Sequence, residues 1–541
     1  MRRSVLVAWL AVLVLGGLFL RADRLGQRSF SHDEVLHVLA AKGLAATGAP
    51  LLPSGEPYRR ALPVTRAVAF AFEHLGESEA AARVPSVVAG VLAIPAVFLL
   101  GTVLFGPTAG LVAAALLACS PDAVAMSRFV RMYAWAQLLV VLAAAATARG
   151  LLAVRPSGRA TWLATGVGLT LLTARLHAEA YLLLAPLGLH LGIVAAWLAA
   201  TGGWRAVRRA PEARELAAGA SVAALVLLAA PDRALATLET GLTRLPWFPA
   251  EAWDPKFYHL YLAGTYDYLW FLAPAATLAV VVTRPRAGLY AALLVWAPFL
   301  LLSAVVPTQS ERYLFVFLPG LFVLLGEGGR LAARLLHARL AGNLAARLPW
   351  PALARPLATA LVVVTLLVVV RASPWFAAAQ ANRLKAYGEF SGAAFAQWRE
   401  AAAWARDHGF ADAAVVSPAD HLAFYYFGRV DGRLLHANQG PHAADRDVEV
   451  TPHGVRFRSY TTGVAAFAGV EDLAALVERH ARGLVVLERH RLLVYPPPFA
   501  PGVAAYVTRR LDEADTPAAA SLAVFTWGTG RRADADGASA P

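Results

Sequence analysis

"RSFSHDEVLHVLAAKG", residues 28–43, follows the first long apolar run of the chain and sets Asp33 and Glu34 side by side between His32 and His37. The chain has 541 residues, of which 58% are hydrophobic and only 16% charged, so tandem acids at the mouth of an apolar run call for an account. Such a composition is too apolar for an ordinary soluble protein. Apolar runs lie near 4–21, 84–104, 108–125, 133–150, 160–176, 180–200, 215–231, 267–283, 287–306, 313–329 and 356–372. Each is close to the ~20 residues a helix needs to cross the hydrocarbon core, which predicts an α-helical polytopic membrane protein with about eleven transmembrane helices. The run at 4–21 follows Arg2 and Arg3 and has no small-residue cleavage site, so it reads as an uncleaved first span.

The formal charge of +13 does not point to nucleic acid, because most arginines fall in short connections between apolar runs. With a cytoplasmic N-terminus, the even connections are the inner ones. They hold Arg149, Arg155 and Arg159, then "WRAVRRAPEAR", then Arg284 and Arg286, then Arg330, Arg334, Arg339, Arg347 and Arg355. Acids, tryptophans and prolines gather in the opposite connections at 22–83, 232–266 and 306–312. This bias predicts an odd number of spans and an extracytoplasmic C-terminus. The single cysteine, Cys119, lies within an apolar run and excludes a disulfide framework or a cysteine metal site.

Residues 1–375 therefore read as a membrane domain whose first outer loop, 22–83, carries two interfacial helices. "DEVLHVLAAKGLAATG" and "LPVTRAVAFAFEHLG" are amphipathic, short for spans, and closed by glycine. Residues 376–530 change character and alternate helix and strand patterns: "GAAFAQWREAAAWARDHG" with "DAAVVSP", "VEDLAALVERHARG" with "LVVLERH", and "PGVAAYVTRRLDEAD" with "SLAVFTW". That alternation predicts a soluble α/β domain with a largely parallel sheet. No glycine-rich phosphate fingerprint is present, and residues 531–541 read as a disordered tail.

Two readings of Asp33-Glu34 compete. The acids could simply cap a helix at the positive end of its dipole. Alternatively, one is a general base; successive side chains on a first turn diverge by about 100°, so one carboxylate can face a cleft while the other braces a partner. His32 and His37 are near enough to tune either acid. Arginines on the outer side sharpen the second reading. Arg128 and Arg131 in "SPDAVAMSRFVRMYAW" are three apart, placing them on one helix face, and Arg312 with Tyr313 opens another span. They either snorkel and pair with Glu311 or clamp a phosphate, for which the guanidinium fork is suited. "RLHAEAYLLLAP" adds Arg175, His177 and Glu179. Trp247, Trp253, Tyr258, Tyr261 and Tyr266 read as interfacial anchors. A lipid-linked phosphate would use all of these: arginines to hold the leaving phosphate, a carboxylate to deprotonate an attacking hydroxyl. No nucleotide is demanded. A divalent metal is compatible with this chemistry, but no ligand pattern supports one.

In order along the chain, the tandem acids, "LPSGEPYRRA", "GESEAAARVPSVVAGVLAIPAVFLLGTVLFGPTAGLVAAALLACSP", "SRFVRMYAW" and "ERYLFVFLPGL" resemble the GT-C glycosyltransferases. The resemblance is to their bacterial branch, related to dolichyl-phosphate-mannose–protein mannosyltransferases and the lipid A aminoarabinose transferase. It covers about residues 5–330. It implies a polyprenyl-phosphate sugar donor, an inverting transfer and an extracytoplasmic active site in the bacterial inner membrane, with a protein, lipid or cell-wall glycan as acceptor. Asp33 would then be the base and Glu34 its neighbour. Arg312 would hold the phosphate, with Tyr58, Arg59 and Arg60 near the donor. Many relatives carry an acid after the Ser-Arg pair where this chain has Phe129, which leaves Glu179 and Glu56 as sources of a second acid. A transporter or flippase for a lipid-linked anion is the competing class. Against it, the charged residues cluster on one face and no internal repeat is evident. A catalytically inactive scaffold for the α/β domain is a third.

Overall fold

The computed structural model describes residues 3–153, 155–218, 254–304, 309–347, 350–372, 396–435, 448–451, 454–467, 469–489 and 502–528. Most of the expected span at 215–231, Trp247, Trp253 and the tail at 531–541 lie outside these residues. Two compact units form. One comprises Met1–Asp23, Ser86–Ser127 and Met132–Leu384; the other comprises Arg24–Pro85, Arg128–Arg131 and Lys385–Pro541.

The first unit is helical. Five helices among the described residues are each long and apolar enough to cross a bilayer: Arg3–Ala22, Glu79–Phe105, Tyr133–Leu151, Ala178–Arg209 and Pro285–Ala304. Two bent pairs raise the number to seven, short of the eleven read from the apolar runs. Helices Pro156–Ala174, Leu318–Arg347 and Ala354–Ala372 also stand at expected segments. Polar residues dilute the first of these, and Arg330, Arg334, Arg339 and Arg347 the second.

Both bent pairs have a local cause. Helix Pro107–Ala118 stops short of Pro121, and Pro121–Ser127 departs at 61°. A residue preceding proline avoids the helical region, so the last carbonyls of the first piece lose their partners. Arg21 replaces them, donating to the carbonyls of Leu117 and Ala118 at 3.2 and 2.9 Å and to Ser127 Oγ at 3.2 Å. The second pair, Phe257–Tyr266 and Tyr268–Thr283, turns by 107°. Its joint is Asp267, a non-glycine residue held at φ 47°.

The second unit is built on a four-stranded sheet in the order β1–β2–β4–β3, where β1 is Ala414–Val416, β2 Gly483–Glu488, β3 Asp512–Glu513 and β4 Leu522–Trp527. The three longest are the strands expected from the sequence, and helices Trp398–Asp407, Val470–Arg479 and Val503–Arg510 stand where their partners were expected. The sheet is mixed rather than largely parallel. β1 runs parallel to β2, but β4 is antiparallel to both β2 and β3. The short β3 explains the difference. It follows helix Val503–Arg510 and adds one chain reversal before β4, which inverts the direction of β4.

Alternate side chains of each strand enter opposite cores, as a period of two requires. Leu484, Val486, Leu522 and Val524 join one cluster, while Val485, Leu487, Ala523 and Phe525 join the other. The first cluster also takes in Val35, Val38 and Leu39 of helix His32–Thr47. Each fully buried aliphatic side chain contributes about 1.5–3 kcal/mol of transfer free energy, so the helix that carries Asp33 is anchored by its apolar stripe.

Candidate functional site

In the second unit, helix His32–Thr47 begins after Ser31 and ends at Gly48, which sits in the left-handed region at φ 76°. The two acids of its first turn have separate fates. Glu34 is fully buried and receives Arg83 at two points, Nε to Oε1 at 2.8 Å and Nη2 to Oε2 at 2.9 Å. Its Oε2 also accepts the Ser31 N–H at 3.0 Å, which is the reciprocal arm of a capping box. Its Oε1 accepts the Val130 N–H at 3.1 Å. Arg83 donates further to the carbonyls of Leu25, Arg28 and Ser29, so the whole turn before the helix is tied to one guanidinium.

Asp33 is different. Its side chain is 38% exposed, and Oδ1 lies 3.7 Å from Nη2 of buried Arg131. Arg131 Nη1 donates to the Tyr58 hydroxyl at 3.2 Å and to the Asp33 carbonyl at 3.4 Å. Tyr58 is buried and stands edge-on to the His37 ring, with centroids 5.1 Å apart. His37 Nδ1 is 2.9 Å from Thr65 Oγ1. Burial, then the charges of Arg131 and Arg60, pull the His37 imidazole down to about 3 against the opposing pull of Asp33, so it is neutral at physiological pH. Burial raises the Tyr58 hydroxyl, with Arg131 and Arg60 opposing, which keeps the phenol protonated.

The structure brings Asp33, Tyr58 and Arg131 together and leaves others apart. Glu56, Arg59 and Arg60 lie exposed in the same loop. Arg128 reaches the Arg24 carbonyl at 3.4 Å. Arg128 and Arg131 do not share a helix face, because residues 128–132 are a non-helical bend between Pro121–Ser127 and Tyr133–Leu151. The Val130 amide is spent on Glu34 instead of on a helical carbonyl. Phe129, at the position where an acid was expected, is a buried core residue. Gly43 permits the loop to close over the helix; a Cβ there would stand 2.0 Å from the Leu51 carbonyl oxygen.

The first unit holds the other expected residues. Arg312 Nε donates to Ser310 Oγ at 2.9 Å and Nη1 to the Tyr133 hydroxyl at 3.2 Å, with the guanidinium 5.8 Å from the Tyr133 ring centroid. His177 pairs with Glu179, and its ring lies 5.2 Å from that of Tyr133 and 5.9 Å from that of Tyr313. One cluster thus unites Arg312, Tyr313, His177 and Glu179 around Tyr133, which sequence reasoning missed. Buried Asp122 was also missed; it accepts hydroxyls from Tyr261 at 2.6 Å and Tyr266 at 2.7 Å and so ties the two bent pairs together. Tyr258, Tyr261 and Tyr266 are interior residues: Tyr258 and Tyr266 are fully buried, and Tyr261 spends its hydroxyl on Asp122. Among the described residues, no group of three or more His, Cys, Asp and Glu side chains is placed to hold a metal ion.

Comparison with known proteins agrees with this architecture. Residues 62–231 match the family model described as dolichyl-phosphate-mannose-protein mannosyltransferase. No curated protein sequence matches the chain. Crystal structures of ArnT from Cupriavidus metallidurans superpose with TM-scores of 0.56 in the apo state and 0.57 bound to undecaprenyl phosphate, each at 16% identity over 96% of this chain and 98% of that one. The archaeal oligosaccharyltransferase AglB from Archaeoglobus fulgidus, in complex with an inhibitory peptide and a dolichol-phosphate, superposes with a TM-score of 0.56 at 15% identity, over 89% of this chain and 69% of that one. The chain is a multi-pass membrane protein that shares the fold of these structures.

Proposed function

We propose that the protein is a membrane glycosyltransferase. It moves a sugar from a polyprenyl-phosphate donor to an acceptor hydroxyl on the extracytoplasmic face of the bacterial inner membrane, with inversion. The observation that carries this reading is the division of the tandem acids. Glu34 is spent on Arg83, whereas Asp33 is half-exposed beside Arg131. A general base must be reachable by its substrate and ionised, and Asp33 meets the first condition where Glu34 does not.

In the step envisaged, the acceptor oxygen attacks the anomeric carbon and loses its proton to Asp33. The bond from that carbon to the phosphate oxygen breaks, and the lipid phosphate departs as an anion. Arg312, held by Ser310 and Tyr133, is suited to bind that phosphate. Tyr58 and Arg131 would orient Asp33, with Arg59, Arg60 and Arg128 adding positive potential for the donor. Tyr313, His177 and Glu179 belong to the Arg312 cluster, and Glu179 and Glu56 are the candidates for a second acid. The bound lipids of ArnT and AglB support a polyprenyl phosphate as the donor class.

The test uses purified protein with a radiolabelled polyprenyl-phosphate sugar and a mixed pool of envelope acceptors. Asp33→Asn should lower transfer by about 10²–10⁴-fold while the protein stays folded. Near-normal turnover in that variant would remove Asp33 as the base.

A further inference from the structure

Tyr58, which receives Arg131 beside Asp33, is carried by a turn whose tip is gripped from far along the chain. Leu51 and Pro57 face each other across that turn as an antiparallel bridge. The Leu52 N–H donates to the Glu56 carbonyl at 2.9 Å and the Tyr58 N–H to the Pro50 carbonyl at 2.8 Å. Opposite it stands a second turn, opened by the antiparallel bridge between Arg458 and Ala465, with Gly463 at φ 74°. The two tips interlock at three points, all within the second unit. The Ser54 N–H donates to the Thr461 carbonyl at 3.1 Å, Ser54 Oγ to the Tyr460 carbonyl at 2.6 Å, and the Tyr460 hydroxyl to the Pro57 carbonyl at 3.2 Å. Pro57 immediately precedes Tyr58.

The turn at 458–465 is the rigid partner of the two. Buried Asp420 accepts the hydroxyls of Ser459 and Thr462, both at 2.5 Å. Ser459 Oγ in turn accepts the N–H groups of Thr461 and Thr462 at 3.2 and 3.3 Å. Tyr460 and Val464 pack against the same apolar cluster that takes in Leu52 and Tyr58. The turn at 51–58 is weaker by itself: Pro53, Gly55, Glu56 and Pro57 are exposed, and a lone pair of short paired segments is marginally stable in water. Where Tyr58 stands therefore depends on the outside grip. A shift of about 1 Å in a group that orients a reacting atom can cost 10²-fold in rate.

We propose that the turn at 458–465 is a positioning clamp for the site: through Ser54 and Tyr460 it fixes Tyr58, and Tyr58 holds Arg131 against Asp33. Ser54 and Tyr460 are positioning residues, acting through Tyr58 rather than on the substrate. The consequence for transfer rests on the reading of Asp33 as the base; the clamp itself does not.

Ser54→Ala removes the 2.6 Å bond and Tyr460→Phe the hydroxyl on Pro57, and neither strands a buried charge. Hydrogen–deuterium exchange of the full chain in detergent should run about fivefold faster over residues 51–58 in either variant, while β2 and β4 keep the wild-type rate. In the transfer assay kcat should fall about tenfold, with donor KM moving by no more than about twofold. Unchanged exchange over 51–58 overturns the clamp, as does faster exchange throughout the sheet, which marks general loosening. Faster local exchange with unchanged kcat overturns the positioning role. A covalent lock measures the reverse effect. A Cβ on Gly463 would stand 3.5 Å from Ser54 Cβ, within disulfide reach. Ser54→Cys with Gly463→Cys, in a Cys119→Ala background, should cross-link on oxidation and show a higher kcat oxidised than reduced. Failure of the folded protein to cross-link overturns the clamp, and an equal or lower kcat when oxidised overturns the positioning role. If Asp33→Asn keeps its turnover, the reading of the base falls, and exchange with cross-linking still decides the clamp.

Discussion

Arg83 grips Glu34 at two points, 2.8 and 2.9 Å, in an ion pair with both side chains at or below 2% exposure. The same guanidinium collects three carbonyls of the turn before the helix, so one side chain sets where the tandem acids sit. Removing either partner strands a buried charge. Arg83→Met should therefore cost about 3–5 kcal/mol, read as a loss of Tm or of folded yield. The double variant Glu34→Gln/Arg83→Met should recover part of that loss, because it leaves no uncompensated ion, and a double-mutant cycle measures the coupling.

Asp33→Asn should behave in the opposite way. Its carboxylate is 38% exposed and 3.7 Å from Arg131, so the pair contributes little stability once solvent screening is counted, about 0–1 kcal/mol. Tm should stay within a degree or two while transfer collapses. A large drop in Tm would mean that Asp33 is a structural partner of Arg131 rather than a reacting group.

This split between neighbours marks the limit of what the sequence could tell. The helix at 32–47, its glycine stop and its apolar stripe were all legible, because caps and periodicity are local. Which acid is spent was not, because the deciding partners are Arg83, 49 positions away, and a backbone amide at Val130. The same amide undid the expectation that Arg128 and Arg131 share a helix face: three-residue spacing implies a shared face only inside an unbroken helix. The strands and helices of the α/β fold could be read one by one, but their directions could not. The two residues of β3, Asp512 and Glu513, sufficed to turn a parallel expectation into a mixed sheet. Asp122 escaped notice because its tyrosine partners lie more than a hundred positions along the chain.

His37 gives a prediction on the acid side of neutrality. Its folded value of about 3 lies below the 6.5 of an unfolded imidazole, with burial as the main cause. Above pH 6.5 neither state binds the proton, and the group leaves stability independent of pH. Below it the unfolded chain takes up a proton that the folded chain refuses, so stability falls as pH drops through the window from 6.5 towards 3, by up to about 1.4 kcal/mol per pH unit. His37→Gln keeps a partner for Thr65 and has nothing to titrate. Denaturant unfolding at pH 7, 6 and 5 should show a smaller acid loss in His37→Gln than in the wild type. Equal losses would place the acid sensitivity elsewhere.

Arg312 donates to Ser310 Oγ at 2.9 Å and to the Tyr133 hydroxyl at 3.2 Å, two bonds that orient its guanidinium. Arg312→Lys keeps the charge but loses the fork that can hold Ser310 and Tyr133 while facing a phosphate. If its role is to bind the donor, both Arg312→Ala and Arg312→Lys should raise the KM for the polyprenyl-phosphate sugar, alanine more than lysine. Charge-assisted hydrogen bonds are worth about 1.5–3 kcal/mol, which corresponds to a tenfold or larger weakening for alanine. Tyr133→Phe supplies the finer measurement. It removes one anchor of Arg312 but no charge, so donor KM should rise by only a few-fold and Tm should change little. A Tyr133→Phe variant with unchanged KM beside a strongly impaired Arg312→Ala would mean that the phosphate itself, and not Tyr133, orients the guanidinium.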